Sequence, residues 1–253
     1  MMDNPFALKG KRYLVTGAAS GIGRSSAEIL SALGAELILA DRNEDGLVKT
    51  LGRCPSAVKM LPIDLMEVHS ISSVVETAVK EFGKLHGVVH AAGVPYISPL
   101  KAVDMDKLHR VFAVNTYAAA EIAKAFSSRK VYAGESGSVV FISSVYASVG
   151  CPCNAGYAMS KAAIEGLTRA LAMEFAGRKI RVNCIAPGFI KTPMDKAVSG
   201  YFDNEHEDVI TGLHPLGLGQ PSDVAYAIAY LLSEASRWVT GTIMHVDGGF
   251  TAQ

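Results

Sequence analysis

Short apolar runs alternate with longer amphipathic segments along nearly the whole chain of 253 residues. The short runs are rich in β-branched residues and predict strands, whereas the longer segments have the periodicity of helices. The predicted strands cover residues 12–16, 36–40, 57–61, 87–90, 138–142, 181–185 and 242–246. The predicted helices cover 21–33, 43–51, 68–82, 107–127, 156–175 and 222–232, the last with a Pro-Ser start signal.

This alternation constrains the fold because parallel strands need crossover connections, which are almost always right-handed. It predicts an α/β fold, a doubly wound parallel sheet of about seven strands with helices on both faces. Ligands bind such sheets at the carboxyl ends of the strands. Since no Pro-, Gly- or Ser-rich linker divides the chain, we expect a single domain over residues 1–253.

One segment, residues 190–219, lacks sustained periodicity and contains Gly200, Gly212 and Pro215. Long irregular insertions in compact domains are commonly functional loops, so we expect a lid over the substrate. An acidic cluster within it is either a solvated helix face, which we favour, or a binding site. The cluster consists of Asp203, Glu205, Glu207 and Asp208.

The bulk composition argues against several classes of function. Lys plus Arg equals Asp plus Glu at 24 each, so nucleic acid is not an expected partner. The apolar runs are far shorter than the roughly 18 to 20 residues of a membrane span, and residues 1–9 lack the features of a secretory signal. We therefore expect a cytoplasmic protein without membrane association.

None of the four cysteines forms the C-x-x-C pair of a zinc ribbon or a thioredoxin-like site. Cys184 lies in an apolar run and is expected in the core. Cys151 and Cys153 flank Pro152 and are either a redox or metal site or, as we favour, small residues beside a pocket. No metal is predicted.

A glycine-rich turn follows the first predicted strand and leads directly into a helix. Its sequence, G-A-A-S-G-I-G at residues 17–23, has the spacing G-x-x-x-G-x-G. Glycines allow a tight turn and close approach of the backbone to a pyrophosphate, to which the helix N-terminus offers N–H donors. The pattern favours a dinucleotide site over a turn that needs glycines only for its own geometry.

An acidic residue, Asp41, ends the second predicted strand about 20 residues beyond the glycine turn. There it would accept hydrogen bonds from the adenosine ribose hydroxyls and repel a 2′-phosphate. Arg42 would offset part of this repulsion, but Ala19 in the turn adds no cation. The sequence therefore predicts NAD as the cofactor, with NADP less favoured.

Two further motifs combine with the glycine turn to identify a family. Tyr157 and Lys161 belong to Y-A-M-S-K on a predicted helix, and Ser143 and Ser144 follow the fifth predicted strand. With these motifs in this order, the chain resembles the short-chain dehydrogenase/reductase family from about residue 10 to residue 249. It is close to the subgroup of 3-oxoacyl-[acyl-carrier-protein] reductases, and the resemblance implies a Rossmann-type fold.

The spacing of Tyr157 and Lys161 points to acid/base chemistry. Four residues apart, they share a helix face, so their side-chain tips can converge. A tyrosine with an ordinary pKa of about 10 is a poor base at neutral pH. We expect the Lys161 ammonium and the positive nicotinamide of the oxidised cofactor to lower the pKa of Tyr157, which would make it the general acid/base.

The resemblance implies further roles. Lys161 also holds the nicotinamide ribose, Ser144 hydrogen-bonds the substrate oxygen, and Asn115 holds a water between the lysine and solvent. Ser143 would lie against the cofactor, the two serines being distinguished by spacing alone. Each residue by itself also fits a plain structural role, but their joint spacing favours the catalytic set Asn115, Ser144, Tyr157 and Lys161.

The remaining cofactor contacts follow the family pattern, with an adenine contact at 64–65 and a nicotinamide segment from 187 to 192. One position departs from it, because His90 stands in H-A-A-G where many members have N-N-A-G, and a structural role is favoured over a catalytic one. The predicted cofactor-binding residues are Gly17, Ser20, Gly21, Ile22, Gly23, Asp41, Arg42, Asp64, Leu65, Ala91, Ala92, Gly93, Tyr157, Lys161, Pro187, Gly188, Ile190 and Thr192.

The predicted reaction is hydride transfer between nicotinamide and a secondary alcohol or ketone. Because cellular NAD is mostly oxidised, dehydrogenation is favoured, of a sugar, a polyol, a hydroxy acid or a steroid-like ring. One alternative is a 3-oxoacyl-thioester reductase. Another, from a different class, is a non-catalytic redox sensor that binds dinucleotide, although the intact catalytic set counts against it.

Specificity is expected to depend on the loops 94–100 and 145–154 and on the lid, which together suggest a partly apolar pocket for a small molecule. The family resemblance also implies a homotetramer. Candidate pocket residues are Tyr96, Val145, Met194, Tyr201 and Phe202.

Overall fold

A computed structural model describes residues 4–194 and 209–252 of the chain. Its strands are β1 (Arg12–Thr16), β2 (Glu36–Asp41), β3 (Val58–Pro62), β4 (Gly87–His90), β5 (Gly137–Ile142), β6 (Ile180–Pro187) and β7 (Ile243–Val246). All pair in parallel in a seven-stranded sheet of order β3-β2-β1-β4-β5-β6-β7. The predicted doubly wound sheet is confirmed, and its order reverses between β1 and β4, where such sheets bind ligands.

Helices follow most strands, as predicted. They are α1 (Gly21–Ala32), α2 (Glu44–Leu51), α3 (Ile71–Phe82), α4 (Met105–Phe112), α5 (Ala118–Ser127), α6 (Ala155–Phe175) and α7 (Pro221–Leu232). The start of α7 matches its sequence signal, because Pro221 occupies the first helical position and the Asp223 carboxylate accepts a hydrogen bond from the N–H of Gln220 at 2.7 Å.

The helix predicted over 107–127 is wrong in two respects. It starts two residues earlier, because the Asp104 carboxylate accepts hydrogen bonds from the N–H groups of Asp106 and Lys107 at 2.9 and 3.1 Å. It is also interrupted by a π-helical turn, Ala113–Tyr117, between α4 and α5. Such turns occur mostly as short irregularities inside α-helices, frequently at functional sites.

Both faces of the sheet are covered by helices. Helices α1, α2 and α7 supply apolar side chains to the core on one face, and α3, α5 and α6 supply those on the other. Successive strand residues alternate between the two cores, as Val88 and Val89 of β4 do. The central strands are therefore buried on both sides and consist mostly of apolar residues, as is typical of parallel sheets.

The predicted lid falls partly outside the described residues. Residues 195–208 are not described, and with them the pocket candidates Tyr201 and Phe202 and the acidic cluster. The two flanks of the segment 190–219 meet, since Ile190 and Gly219 pair in a parallel bridge. Within residues 4–194 and 209–252, no helix is long and apolar enough to cross a membrane.

Candidate active site

Two adjoining cavities open at the carboxyl ends of the strands. The first, of about 330 Å³, lies over the glycine turn and is called here the glycine-turn cavity. The second, of about 580 Å³, contains Tyr157 and is called the tyrosine cavity. Both cavities are lined by Ile22, Ala91, Gly93, Thr192 and Met194, so they form one continuous site.

The glycine turn is held by close backbone contacts. A Cβ on Gly17 would lie 2.7 Å from the backbone nitrogen of Ala92, and one on Gly23 would lie 2.2 Å from the carbonyl oxygen of Gly17. Gly21 has a positive φ of 52°, which an L side chain rarely adopts, and a Cβ there would be 3.4 Å from Thr192. The three glycines are therefore required by the turn and by its packing on β4.

The beginning of α1 offers hydrogen-bond donors to the glycine-turn cavity. Ser20 is the N-cap residue, and its side chain forms no capping hydrogen bond. The first N–H groups of a helix have no partner within the helix, and residues 20–23 line the cavity. Together with the helix dipole, they form a site that suits a pyrophosphate.

The Asp41 carboxylate is held in place at the edge of this cavity. Its two oxygens accept hydrogen bonds from the N–H groups of Ala19, at 3.1 Å, and Asn43, at 2.9 Å. Arg42 is exposed and lines the same cavity. Arg24 lies nearby but does not line the cavity, because its guanidinium donates to the Ala19 carbonyl and to the Thr50 hydroxyl.

Thirteen of the predicted cofactor residues line the glycine-turn cavity; they are Gly17, Ser20, Gly21, Ile22, Gly23, Asp41, Arg42, Asp64, Leu65, Ala91, Ala92, Gly93 and Thr192. The Asp64 carboxylate accepts a hydrogen bond from the N–H of Met66 at 2.9 Å, which fixes the turn after β3. Sequence reasoning missed Asn43 and Ile63, which also line the cavity. Their position after the carboxyl ends of β2 and β3 was the available signal.

The tyrosine cavity brings together Ser144, Tyr157 and Lys161. The Ser144 and Tyr157 side chains are hydrogen-bonded to each other. Lys161 is buried, with its Nζ 5.6 Å from the centre of the Tyr157 ring and donating to the Ile142 carbonyl at 2.9 Å. The five predicted cofactor residues that do not line the glycine-turn cavity line this one; they are Tyr157, Lys161, Pro187, Gly188 and Ile190. An ammonium has three donors, so this one can also reach a ligand hydroxyl.

Burial dominates the protonation of both groups. It raises the pKa of Tyr157 to about 12, and the hydrogen bond from Ser144 offsets only part of this effect. Burial also lowers the pKa of Lys161 to about 8. In the protein alone the pKa of Tyr157 is therefore raised rather than lowered, because the low polarity around both groups disfavours each charged form. The lowering expected with the oxidised cofactor stays a prediction.

Asn115 lies beside the cavities rather than in them. It is buried in the π turn, and its side-chain oxygen accepts a hydrogen bond from the N–H of Val94 at 2.8 Å. Its amide nitrogen donates to the Val94 carbonyl at 3.1 Å and to the Ser160 hydroxyl at 3.0 Å. The side chain thus ties the loop after β4 to α6, and Val114 is the π-turn residue that lines the glycine-turn cavity.

Ser143 is bonded to the helix that carries the catalytic pair. Its hydroxyl is 3.1 Å from the carbonyl oxygen of Lys161 and 3.1 Å from a carboxylate oxygen of Glu165, both on α6. Ser143 also lines the tyrosine cavity, so its expected position against the cofactor stays a prediction, although its hydroxyl is directed to the helix. The sequence contained no signal for this, because the distance between β5 and α6 is a tertiary property.

His90 forms a buried network at the end of β4. Its Nδ1 is 2.9 Å from the hydroxyl oxygen of Thr16, which accepts a hydrogen bond from the N–H of Ala92 at 3.3 Å. Its Nε2 is buried without a hydrogen-bond partner among the described residues, near the carbonyls of Val114 and Asn115. Burial and the Lys161 charge lower the pKa of His90 to about 3, so the ring is neutral.

Aromatic and sulfur-containing side chains form the outer wall of the tyrosine cavity. Tyr96, Val145 and Met194, three of the five pocket candidates, line it. Phe189, which sequence reasoning missed, lines it too and meets Tyr146 edge-on at 5.8 Å between ring centres. The exposed cysteines also line it, at positions 151 and 153. Most of this wall is apolar.

Comparison with known proteins connects this geometry to a family. Residues 17–251 match the family model described as enoyl-(acyl carrier protein) reductase. The 3-oxoacyl-[acyl-carrier-protein] reductase FabG of Thermotoga maritima is 34% identical over 249 residues, which are 96% of this chain and 98% of the relative. The cis-4-hydroxycyclohexanecarboxylate dehydrogenase of Sinomonas cyclohexanicum is 34% identical over 243 residues, 94% of this chain and 96% of the relative.

Solved structures agree. A gluconate 5-dehydrogenase from Burkholderia cenocepacia in complex with NADP and tartrate superimposes with a TM-score of 0.91 at 30% identity, covering 98% of each chain. The protein is accordingly an NAD(P)-dependent oxidoreductase that acts on CH–OH or keto groups. Matched over nearly its whole length, the chain belongs to the short-chain dehydrogenase/reductase family, close to the FabG subgroup.

Proposed function

We propose that the protein is an NAD-preferring dehydrogenase of uncharged secondary alcohols. In these substrates the hydroxyl is attached to a ring or to an acyclic chain of similar size. The observation that supports this substrate class is the lining of the tyrosine cavity. Among the described lining residues Lys161 is the one charged side chain, and its ammonium is directed to the Ile142 carbonyl. A substrate carboxylate would find no cation on this apolar wall, whereas a neutral ring would be well packed.

In this proposal Tyr157 moves the proton. Its hydroxyl lies within hydrogen-bonding reach of Ser144, so a substrate oxygen bound beside both could donate its proton to the tyrosine and remain held by the serine. The nicotinamide, when bound, accepts the hydride. Lys161 favours the tyrosinate by its positive charge and has donors left for the ribose hydroxyls. Asn115 acts indirectly, because its side chain holds Val94 and Ser160 in place by hydrogen bonds.

The preference for NAD rests on Asp41. Two backbone N–H groups fix the direction of its carboxylate, so a 2′-phosphate at the cavity edge would meet a negative charge that cannot turn away. Arg24, the other nearby cation of the turn, is engaged by Ala19 and Thr50. Arg42 also lines the cavity, but it is exposed, so solvent screens its charge and it offsets only part of this effect. NADP is bound in the related Burkholderia structure, so the preference needs direct measurement.

The test combines binding and turnover. NADH and NADPH are titrated into the purified protein by fluorescence, and NAD-dependent oxidation of a panel of cyclic and acyclic secondary alcohols is followed by absorbance. Tyr157→Phe removes the acid/base, and Tyr226→Phe, on the exposed face of α7, is the matched control. Tighter NADH binding and alcohol oxidation that depends on Tyr157 are expected.

Two other outcomes would replace the proposal. Preferred binding of NADPH with reduction of an acetoacetyl thioester would assign the protein to the ketoacyl reductases, as its FabG relatives suggest. Nucleotide binding without any turnover that depends on Tyr157 would favour the redox sensor.

The assembly and location are part of the same proposal. We infer a homotetramer from the family resemblance, and the exposed apolar side chains of Met173 and Trp238 support association. Light scattering after size exclusion tests this, with a monomer as the contrary result. A cytoplasmic location is proposed as well, and cell fractionation would test it.

A further inference from the structure

His214 is a buried histidine that the site described above does not use. It follows the helical turn of residues 209–212, and 3% of its surface is exposed. Both ring nitrogens form hydrogen bonds. Nε2 lies 3.2 Å from the backbone nitrogen of Phe189, and Nδ1 lies 2.7 Å from the carbonyl oxygen of Ile210.

The partners of these two bonds fix the tautomer of the ring. The Phe189 N–H can only donate, so Nε2 is the acceptor and carries no proton. The Ile210 carbonyl can only accept, so Nδ1 carries the proton. His214 is therefore a neutral imidazole that joins the chain just after β6 to the end of the segment 190–219.

The ring of His214 also packs tightly. It stands edge-on to the Phe189 ring, with 5.4 Å between centres, and lies 4.9 Å from the Phe250 ring. A Cβ on Gly188 would come within 2.9 Å of Nε2, so this approach requires glycine at that position. The Phe189 backbone is fixed on its other side as well, because its carbonyl accepts a hydrogen bond from the N–H of Gly219 at 3.0 Å.

Phe189 in turn forms part of the wall of the tyrosine cavity. Its ring meets that of Tyr146, which lines the same cavity. The backbone of Phe189 is held by His214 and Gly219, and its ring is held between Tyr146 and His214. The histidine therefore determines where this wall stands relative to Tyr157.

We propose that His214 is a positioning residue that sets the substrate specificity by holding Phe189 in the cavity wall. The kinetic part of this inference rests on the proposed alcohol dehydrogenase activity. On this proposal, secondary alcohols large enough to contact Phe189 depend on the position of the wall. Small alcohols do not extend that far and are insensitive to it.

Three substitutions separate the two hydrogen bonds. In His214→Gln the side-chain oxygen reaches the place of Nε2 and can accept from Phe189. In His214→Asn the amide nitrogen matches Nδ1 and keeps only the donor to Ile210. His214→Leu removes both bonds at similar volume, and His69→Leu, at an exposed histidine, is the matched control.

Each variant is assayed with NAD and either cyclohexanol or 2-propanol. We expect His214→Asn and His214→Leu to lower kcat/KM for cyclohexanol about tenfold, because one wall contact is worth roughly this factor. For 2-propanol, kcat/KM should change by less than about threefold, and the Kd of NADH by less than about twofold. His214→Gln should resemble the unmodified protein. Equal losses for both alcohols, or no difference between Gln and Asn, would refute the role in specificity.

A second measurement does not depend on turnover. Nitrogen NMR of ¹⁵N-histidine-labelled protein should show the Nδ1–H tautomer for His214, and the Phe189 amide should be protected from hydrogen exchange in a way that His214→Leu abolishes. An Nε2–H tautomer or an unprotected amide would overturn the proposed contact. If the protein oxidises neither alcohol, the proposed activity fails, while these two readouts still decide whether His214 holds Phe189.

Discussion

The two halves of the active site are built in different ways. The glycine-turn cavity is lined mostly by residues at the ends of β1, β2, β3 and β4 or just after them. The tyrosine cavity is walled by side chains from loops far apart in the chain, with Tyr96, Tyr146 and Phe189 among them. Substitutions in the first act through steric contact with the backbone or through the charge of Asp41, whereas those in the second act through acid/base chemistry and packing.

The largest expected effect is on the rate of the reaction and leaves cofactor binding nearly unchanged. Removing the hydroxyl in Tyr157→Phe should lower kcat by about 10³-fold, the range for losing a general acid/base, because the proposed proton acceptor is then missing. The Kd of NADH should stay within about twofold, since the hydroxyl belongs to the other half of the site. Steady-state kinetics and nucleotide titration measure the two. A parallel loss of nucleotide binding would contradict the separation.

The next effect concerns stability. The pKa of Lys161 is lower in the folded protein, about 8, than the 10.5 of an unperturbed lysine. Between these values the unfolded chain binds more protons, so stability rises with pH. The free energy of unfolding relative to Lys161→Met should therefore rise by up to about 3 kcal/mol from pH 7 to 10.5. Urea denaturation at several pH values measures it. Lys101→Met, at an exposed lysine, should show no such rise, and equal curves for the two variants would refute the prediction.

The glycine turn should be sensitive to the size of an added side chain rather than to its charge or polarity. In Gly23→Ala the new Cβ would meet the Gly17 carbonyl oxygen at 2.2 Å, so the turn must shift. We expect the free energy of unfolding to fall by about 1–3 kcal/mol and NADH binding to weaken. Gly166→Ala on α6, where a Cβ meets nothing within 4 Å, is the matched control and should be neutral or stabilising. Equal behaviour of the two variants in thermal unfolding would show that the turn is not closely packed.

The smallest effect is a change in cofactor preference. Asp41→Ala removes the fixed negative charge at the edge of the glycine-turn cavity and leaves Arg42 in place. We expect the ratio of NADPH to NADH affinity to rise about tenfold, close to 1.4 kcal/mol. Asp45→Ala, at an exposed position in the first turn of α2, serves as the control. If the ratio does not change in Asp41→Ala, the preference depends on residues elsewhere.

The same contrast explains how far the sequence could predict the molecule. The sheet and the lining of the glycine-turn cavity follow local patterns, since the glycine turn, Asp41 and Asp64 each lie at the end of a strand or within two residues of it. Parallel strands bring their carboxyl ends together whatever the rest of the chain does. Local patterns of this kind can be recognised in a single sequence.

Other features depend on contacts between distant segments and could not be predicted. The hydroxyl of Ser143 is directed to α6, and Phe189 is held by a histidine 25 residues further on. The raised pKa of Tyr157 comes from burial by several loops. The π turn escaped detection because its one additional residue leaves the apolar periodicity on either side intact.

That π turn has a consequence for the mutability of the chain. An additional residue in a helix rotates everything that follows by about 100°. Residues 113–117 therefore set the phase between the buried faces of α4 and α5, as well as carrying Asn115. Deleting a residue there would restore a regular helix but turn the apolar side of α5, with Ile122 and Phe126, away from the sheet. The number of residues in this short stretch is thus constrained. The identities of its side chains do not reveal this constraint.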